Sequence, residues 1–166
     1  MRSAGVSETT EAEPAIAEVE AIGFRRLTYA DLPAVLSIER RSFPAPWSLA
    51  MFVLEVSKPS GVCLAAVAGD EIVGYLVCSR YADVYHLMNV AVDPDLRRRG
   101  VAARMIERML DEGGRDERYT LEVRVSNHPA IAMYERLGFR RAGRRRRYYG
   151  DNGEDAMIMW LGDPGP

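Results

Sequence analysis

The stretch 84–112 leaves this chain few ways to fold. It opens V-Y-H-L-M-N-V-A-V, where Met88, Val90 and Val92 alternate with Asn89 and Ala91, the period of two that marks a strand. Asp93-Pro94 then turns the chain, because proline fixes its own φ and disfavours helix in the residue before it. From Val101 the apolar positions Val101, Met105, Ile106 and Met109 recur at helical spacing, until Gly113-Gly114 stops them. A strand that turns directly into an amphipathic helix requires a sheet for that helix to cover. Between the two lies Arg97-Arg98-Arg99-Gly100. The first turn of a helix carries unpaired N–H groups at the positive end of the dipole, which favours anions and phosphates above all. Gly100 has no Cβ and lets a ligand come close to the backbone. The residues alone leave two readings open, a phosphate-cradling turn or a solvated basic turn opening an ordinary helix.

The flanking sequence extends the pattern in both directions. Phe24–Thr28 reads as a short strand, followed by a helix from Thr28 or Tyr29 to about Ser42, with Leu32, Val35, Leu36 and Ile38 on one face. Phe43-Pro44-Ala45-Pro46-Trp47 breaks the chain, and Ser48 is placed to cap a second helix ending near Val56. Residues 62–68 and 72–79 around Gly69-Asp70 form a β-hairpin, and 84–92 is the next strand. Tyr119–Val125 alternates Leu121, Val123 and Val125 against Glu122 and Arg124. Asn127-His128-Pro129 opens a helix ending at Leu137-Gly138, Phe139 begins a strand, and Ala156–Leu161 is the last one. The order β-α-α-β-β-β-α-β-α-β-β predicts an α/β fold with a mixed, partly parallel central sheet and helices on both faces.

Composition narrows the function classes. At 166 residues the chain suits one domain, expected over 23–162, with a mobile acidic tail over 1–22 and a short C-terminal tail over 163–166. Five glutamates and one arginine give the first 22 residues a charge of −4; the whole chain carries −2, which leaves about +2 for the rest. No run approaches the ~18 apolar residues of a membrane span, and the N-terminus lacks an apolar signal core, so the expectation is a cytoplasmic protein with no membrane partner. Cys63 and Cys78 lie in strand-like stretches without C-x-x-C or histidine pairing and read as reduced core residues. Two histidines and scattered carboxylates give no metal constellation. Arg140, Arg141 and Arg144–Arg147 with Tyr148 and Tyr149 form a basic, aromatic stretch. It reads as a solvated hairpin balanced by Asp151, Glu154 and Asp155 rather than as a nucleic-acid surface.

Neither G-x-x-x-x-G-K-[ST] nor G-x-G-x-x-G occurs. The turn instead reads R-x-x-G-x-A at Arg97, Gly100 and Ala102, which resembles the Q/R-x-x-G-x-G/A signature of the Gcn5-related N-acetyltransferases (GNAT). L-E-V-R-V-S-N at 121–127 and A-I-A-M-Y-E-R-L-G-F at 130–139 strengthen the likeness. With W-S at 47–48, N-V-A-V-D-P at 89–94 and E-D-A-M-I-M at 154–159, the sequence is similar to the bacterial RimI-type ribosomal-protein-alanine N-acetyltransferases over about 24–161.

That resemblance implies an enzyme that uses acetyl-CoA, without a metal, to acetylate the N-terminal alanine of a small-subunit ribosomal protein. It implies Glu122 as the general base and Tyr134 as the general acid. It places the pyrophosphate on the helix turn, with Arg97, Arg98, Arg99, Gly100, Val101, Ala102 and Ala103. Val90, Ala91 and Val92 hold the pantetheine arm through their backbone, and Asn127 bonds the CoA arm. Read without the resemblance, Glu122 is a solvent-facing strand residue, Tyr134 a core aromatic, and Asn127 an N-cap. Trp47 either lines the acceptor channel or staples two helices to the sheet, and Tyr148 joins it on the acceptor side. Two rivals remain: the same fold acting on a small amine or a protein lysine, and a non-catalytic acyl-CoA-sensing or RNA-binding module.

Overall fold

In a computed structural model the chain is described from residue 21 to residue 165. The expected tail over 1–20 lies outside the described residues. Ile22, also assigned to the tail, belongs to the fold: it is buried in the core, and its carbonyl accepts a hydrogen bond from Arg104.

Seven strands form one sheet: β1 (Gly23–Arg26), β2 (Val62–Ala68), β3 (Glu71–Tyr81), β4 (Val84–Val92), β5 (Arg118–Arg124), β6 (Arg140–Arg145) and β7 (Ala156–Leu161). Their spatial order is β1-β2-β3-β4-β5-β7-β6. Among the described residues four α-helices cover it: α1 (Leu32–Ser42), α2 (Leu49–Ser57), α3 (Val101–Gly113) and α4 (His128–Arg136). A 3-10 turn over Tyr29–Asp31 leads into α1, so the regular helix begins three residues later than the sequence suggests.

Among the described residues only β4 and β5 pair in parallel, joined by the crossover through α3. The second crossover, β5-α4-β6, contributes no parallel neighbour. β7 returns between β5 and β6 and pairs antiparallel with both. β6 is left as an edge strand whose arginines blunt it against further pairing.

The two faces of the sheet carry separate cores. α3 buries Val101, Met105, Ile106, Met109 and Leu110 against one face, together with Ile131 and Tyr134 of α4. Five such side chains from α3, at about 1.5–3 kcal/mol each, outweigh any helix propensity in fixing this element. α1 and α2 cover the other face with Leu32, Val35, Ile38 and Phe52 over Ala65, Tyr75 and Val77. Cys78 lies in the first core and Cys63 in the second, so the sheet separates the thiols; burial raises the Cys63 pKa to about 11.

The strict alternation read along β4 fails at one point. Val77 pairs with Asn89 and Cys78 with Leu87, which leaves Met88 as an extra residue. This bulge reverses the alternation: Tyr85 and Leu87 before it, and Val90 and Val92 after it, face the α3 core, while Met88 packs with Ala91 on the α1 side. Met88 therefore does not share a face with Val90 and Val92. The parallel pairing of β4 with β5 runs from Val84–Arg118 to Leu87–Leu121 and stops there. Beyond the bulge the two strands separate, and the gap between them opens the cleft described next.

Candidate active site

The cleft has a volume of about 1020 Å³. Its walls bring together segments distant in sequence. Phe43, Pro44, Ala45 and Trp47 come from the α1–α2 loop, Leu87–Val92 from β4, and Leu121–Arg124 from β5. Asn127, just before α4, and Tyr134 on α4 line it, with Tyr148 and Tyr149 from the β6–β7 loop.

At one end lies the turn into α3. Gly100 occupies the N-cap position with φ 76°, in the left-handed region, and offers no side chain to cap the helix. The first intrahelical bond runs from Arg104 N to Gly100 O. The N–H groups of Val101, Ala102 and Ala103 therefore precede the ladder, and all three residues line the cleft. A Cβ built on Gly100 meets no heavy atom within 4 Å, so the space beside it is open to a ligand. Arg98 is also left-handed, at φ 62°. A turn with N–H groups and a positive dipole end facing an open cleft fits a pyrophosphate.

The arginines divide. Arg98 lines the cleft. Arg97 lines it too, but its guanidinium is tied down, donating to Val92 O at 3.2 Å and to Ser42 Oγ at 2.8 Å. Arg99 is not part of the cleft wall. Two left-handed residues around it redirect the backbone, which a run of three arginines in sequence does not reveal.

Glu122 is not a solvent-facing strand residue. Its side chain is 6% exposed. His86 Nε2 lies 2.5 Å from its Oε2, and Arg145 Nη2 lies 3.3 Å from its Oε1. Burial raises the Glu122 pKa, but the hydrogen bond from His86 and the charges of His86 and Arg145 outweigh it and hold the carboxyl below its ordinary range. The carboxylate is ionised at neutral pH and accepts from His86. His86 and Arg145 were not singled out in the sequence as site residues. Period two along 84–87 places His86 opposite Tyr85 and Leu87, but only the parallel register of His86 with Thr120 sets it beside Glu122.

Tyr134 is buried, with its ring edge-on to Phe139 at 5.7 Å. Burial raises its pKa, so the phenol stays protonated at neutral pH. Among the described residues none hydrogen-bonds its hydroxyl, which belongs to a residue of the cleft wall. It is thus both core aromatic and cleft residue. Asn127 is the N-cap: its Oδ1 accepts from Ala130 N at 3.2 Å, which leaves the side-chain NH2 for a ligand. Arg124 clamps the β6–β7 loop through Asp151 at 2.9 Å and Glu154 at 3.3 Å, and Glu154 also accepts from Ser126 N. Of the three acids read as balancing the arginine run, Asp151 and Glu154 therefore hold the loop carrying Tyr148 and Tyr149 onto the turn before α4, while Asp155 does pair with Arg144, at 3.2 Å.

Trp47 belongs to both the cleft wall and the core packing. It lines the cleft, and its ring packs on Phe52 at 5.2 Å, which in turn meets Tyr75 edge-on. Tyr148 lines the cleft half exposed, edge-on to Tyr149.

Among the described residues no three His, Cys, Asp or Glu side chains converge on a metal position, and no helix is long and apolar enough to cross a membrane.

Comparison with known proteins agrees with this geometry. The chain is 40% identical over 139 residues to the [Ribosomal protein bS18]-alanine N-acetyltransferase of Salmonella typhimurium, covering 81% of this chain and 93% of that one. It is 35% identical over 156 residues to the N-alpha-acetyltransferase RimI of Mycobacterium tuberculosis, covering 89% and 98%. It also aligns at 37% identity with the uncharacterized protein ML0378 of Mycobacterium leprae, of whose length it spans only 43%. The crystal structure of the ribosomal-protein-S18-alanine N-acetyltransferase from Escherichia coli superposes with a TM-score of 0.78 at 35% identity, over 87% of this chain and 96% of that one. Residues 32–139, from the start of α1 to the end of the α4 turn, match the acetyltransferase (GNAT) family. The splayed strands, the uncapped helix turn and these matches agree: the chain belongs to the GNAT family and is an N-acetyltransferase that uses acetyl-CoA.

Proposed function

We propose that this protein acetylates the α-amine of an N-terminal alanine on a small-subunit ribosomal protein, by direct transfer with donor and acceptor bound together. The observation that supports it most is the cleft itself. One wall carries an ionised, protein-held carboxylate, another a protonated phenol, and both open onto the space that runs from the anion-binding turn. Relatives spanned over 90% or more of their length are named for alanine N-acetylation of ribosomal protein bS18.

Bound acetyl-CoA supplies a thioester carbonyl as the acyl donor. The first-turn N–H groups of α3 hold its pyrophosphate, and Val90–Val92, paired with β3 but no longer with β5, present their open edge to its arm. Glu122 accepts the proton that the amine gives up, directly or through water. The Tyr134 hydroxyl donates toward the departing sulfur, whose thiol pKa of about 8.5 makes it a tolerable leaving group. Asn127 contributes its NH2 to the cofactor arm, and Trp47 and Tyr148 border the acceptor. Both thiols are buried and neither cysteine lines the cleft, so the transfer is read without an acetyl-cysteine step. An acceptor of this kind and acetyl-CoA together support a reaction in the cytoplasm.

The choice of amine follows from acidity. A free α-amine has a pKa of about 7.7–8.0, against about 10.4 for lysine, a gap of roughly 3.4 kcal/mol in the cost of a neutral nucleophile at pH 7. A carboxylate held below its ordinary range is a weak base and suits the α-amine. An alanine-starting peptide without lysine is the test substrate. Its partner has a blocked N-terminus and one internal lysine. Mass mapping is expected to find the acetyl group on the α-amine of the first and almost none on the second. Modification mainly of the lysine side chain refutes the α-amine reading and favours the lysine rival.

A further inference from the structure

Outside the groups with assigned roles, the cleft wall contains a buried carboxylate that the chemistry does not use. Glu39, in the last turn of α1, is 1% exposed. Among the described residues no cation pairs with it. Its carboxylate instead accepts from three separate elements. Trp47 N donates to Oε1 at 2.8 Å, Asn89 Nδ2 donates to Oε2 at 3.1 Å, and the Tyr75 hydroxyl of β3 donates to the same Oε2 in a short bond. Burial, and then the adjacent carboxylate, raise the Tyr75 pKa and keep it a donor.

The backbone of Glu39 adds a fourth link: its carbonyl accepts from Phe43 N at 3.0 Å. One residue thus holds both ends of Phe43-Pro44-Ala45-Pro46-Trp47. The two prolines of that loop have no N–H to anchor it otherwise. Phe43, Pro44, Ala45 and Trp47 line the cleft. Asn89, at the other side of the carboxylate, stands beside the β4 bulge and directly before Val90–Val92.

We propose that Glu39 is a positioning residue for the acceptor, fixing the 43–47 loop against the bulge of β4 so that the acceptor wall and the donor strand form one rigid cleft. The proposal rests on the peptide-acceptor reading above. The two sides depend on Glu39 unequally. β4 is also held by its ladder to β3, from Gly74–Val92 to Val77–Asn89, whereas the loop has chiefly its bonds to Glu39. Losing the carboxylate therefore frees the Trp47 end of the loop, keeps the Phe43 bond to the Glu39 carbonyl, and leaves the donor strand in place.

The test compares Glu39→Met, which fills the space without an acceptor, with Glu39→Gln. A glutamine keeps an oxygen for Trp47 N, and the Tyr75 hydroxyl and a turned Asn89 amide can both accept from its nitrogen. Glu39→Met is expected to raise the KM for an alanine-starting peptide at least tenfold, with kcat within about threefold and acetyl-CoA affinity within about twofold of wild type. Glu39→Gln is expected to restore the peptide KM to within about threefold. In a Trp160→Phe background, Trp47 emission is expected to shift to longer wavelength in Glu39→Met and not in Glu39→Gln. Should Glu39→Met not fold, Glu39→Asp replaces it with the same expectations, since its carboxylate is withdrawn by one methylene. A folded Met or Asp variant with wild-type peptide KM overturns the proposal. So does an equal loss of acetyl-CoA affinity, or a glutamine variant as impaired as the methionine one. If the wild type itself fails to turn over the peptide, the functional reading fails, and Trp47 emission alone decides the Glu39 link.

Discussion

His86 Nε2 stands 2.5 Å from Glu122 Oε2, across a separation of 36 residues. The contact exists because β4 and β5 pair in parallel up to Leu87–Leu121 and then part. Just below the point of separation His86 can reach the carboxylate, and just above it the carboxylate meets the cleft. Arg145 completes the grip from β6. Glu122 is thereby kept ionised inside a wall that burial alone would tend to neutralise.

Glu122→Gln is expected to lower kcat by about 10²-fold or more with little change in acetyl-CoA affinity, because a carboxamide cannot accept the amine proton. Turnover at pH 7 and calorimetry with acetyl-CoA check the two halves. Unchanged turnover removes Glu122 from the chemistry.

His86 sets where the activity is lost in acid. A carboxylate with a lowered pKa keeps its charge as pH falls, so in the wild type the loss caused by protonating Glu122 lies below the ordinary glutamate value of about 4.3. Removing the imidazole leaves the burial that raises the pKa. His86→Ala should therefore move the acid limb of kcat upward in pH. A profile measured from pH 4 to 8 that superposes on the wild type would show that His86 does not hold the base.

Tyr134→Phe removes one hydroxyl and keeps the ring against Phe139. The fold should persist by circular dichroism, and turnover should fall by at least about tenfold if proton donation assists the leaving thiolate. A pH–rate profile identical in height and shape to the wild type would make Tyr134 purely structural.

Gly100→Val should weaken acetyl-CoA by at least about tenfold in calorimetry. The added side chain enters the open space beside the turn, and a β-branched residue is strained at φ 76°. A folded variant with wild-type affinity would place the pyrophosphate elsewhere.

Asp31 offers a test of the fold apart from catalysis. It accepts both guanidinium nitrogens of Arg25, at 2.7 and 2.9 Å, and Thr28 N at 2.8 Å. The Arg25 hydrogen bonds, acting against burial, bring its pKa to about 2, below the ordinary value of about 3.9. A depressed folded-state pKa stabilises above the unfolded value and loses that contribution as pH falls toward 2. Arg25 is half exposed, so solvent reduces the effect to about 1 kcal/mol. Asp31→Asn should lower Tm by about 2–4 °C at pH 7, and the difference should shrink between pH 4 and pH 2.

Sequence alone determined the local structure and the turn at the centre of the site. Period-two and helical spacing located β4, β5, β7, α3 and α4 within a residue or two, because each element buries one face whose spacing is written along the chain. Ser48 and Asn127 declared the helix starts they cap. What depended on contacts between distant segments was decided only by the tertiary structure. The bulge at Met88 is a mismatch between two strands, so β4 alone reads as regular. β7 inserts between β5 and β6 because pairing order is a property of the sheet, not of chain order. The absence of Arg99 from the cleft wall follows from left-handed backbone at a non-glycine neighbour. The polar face of β5 looked like solvent because nothing in 118–124 states that His86, Arg145 and the β6–β7 loop will cover Glu122. A charge becomes a buried, oriented base only when other strands and loops close over it.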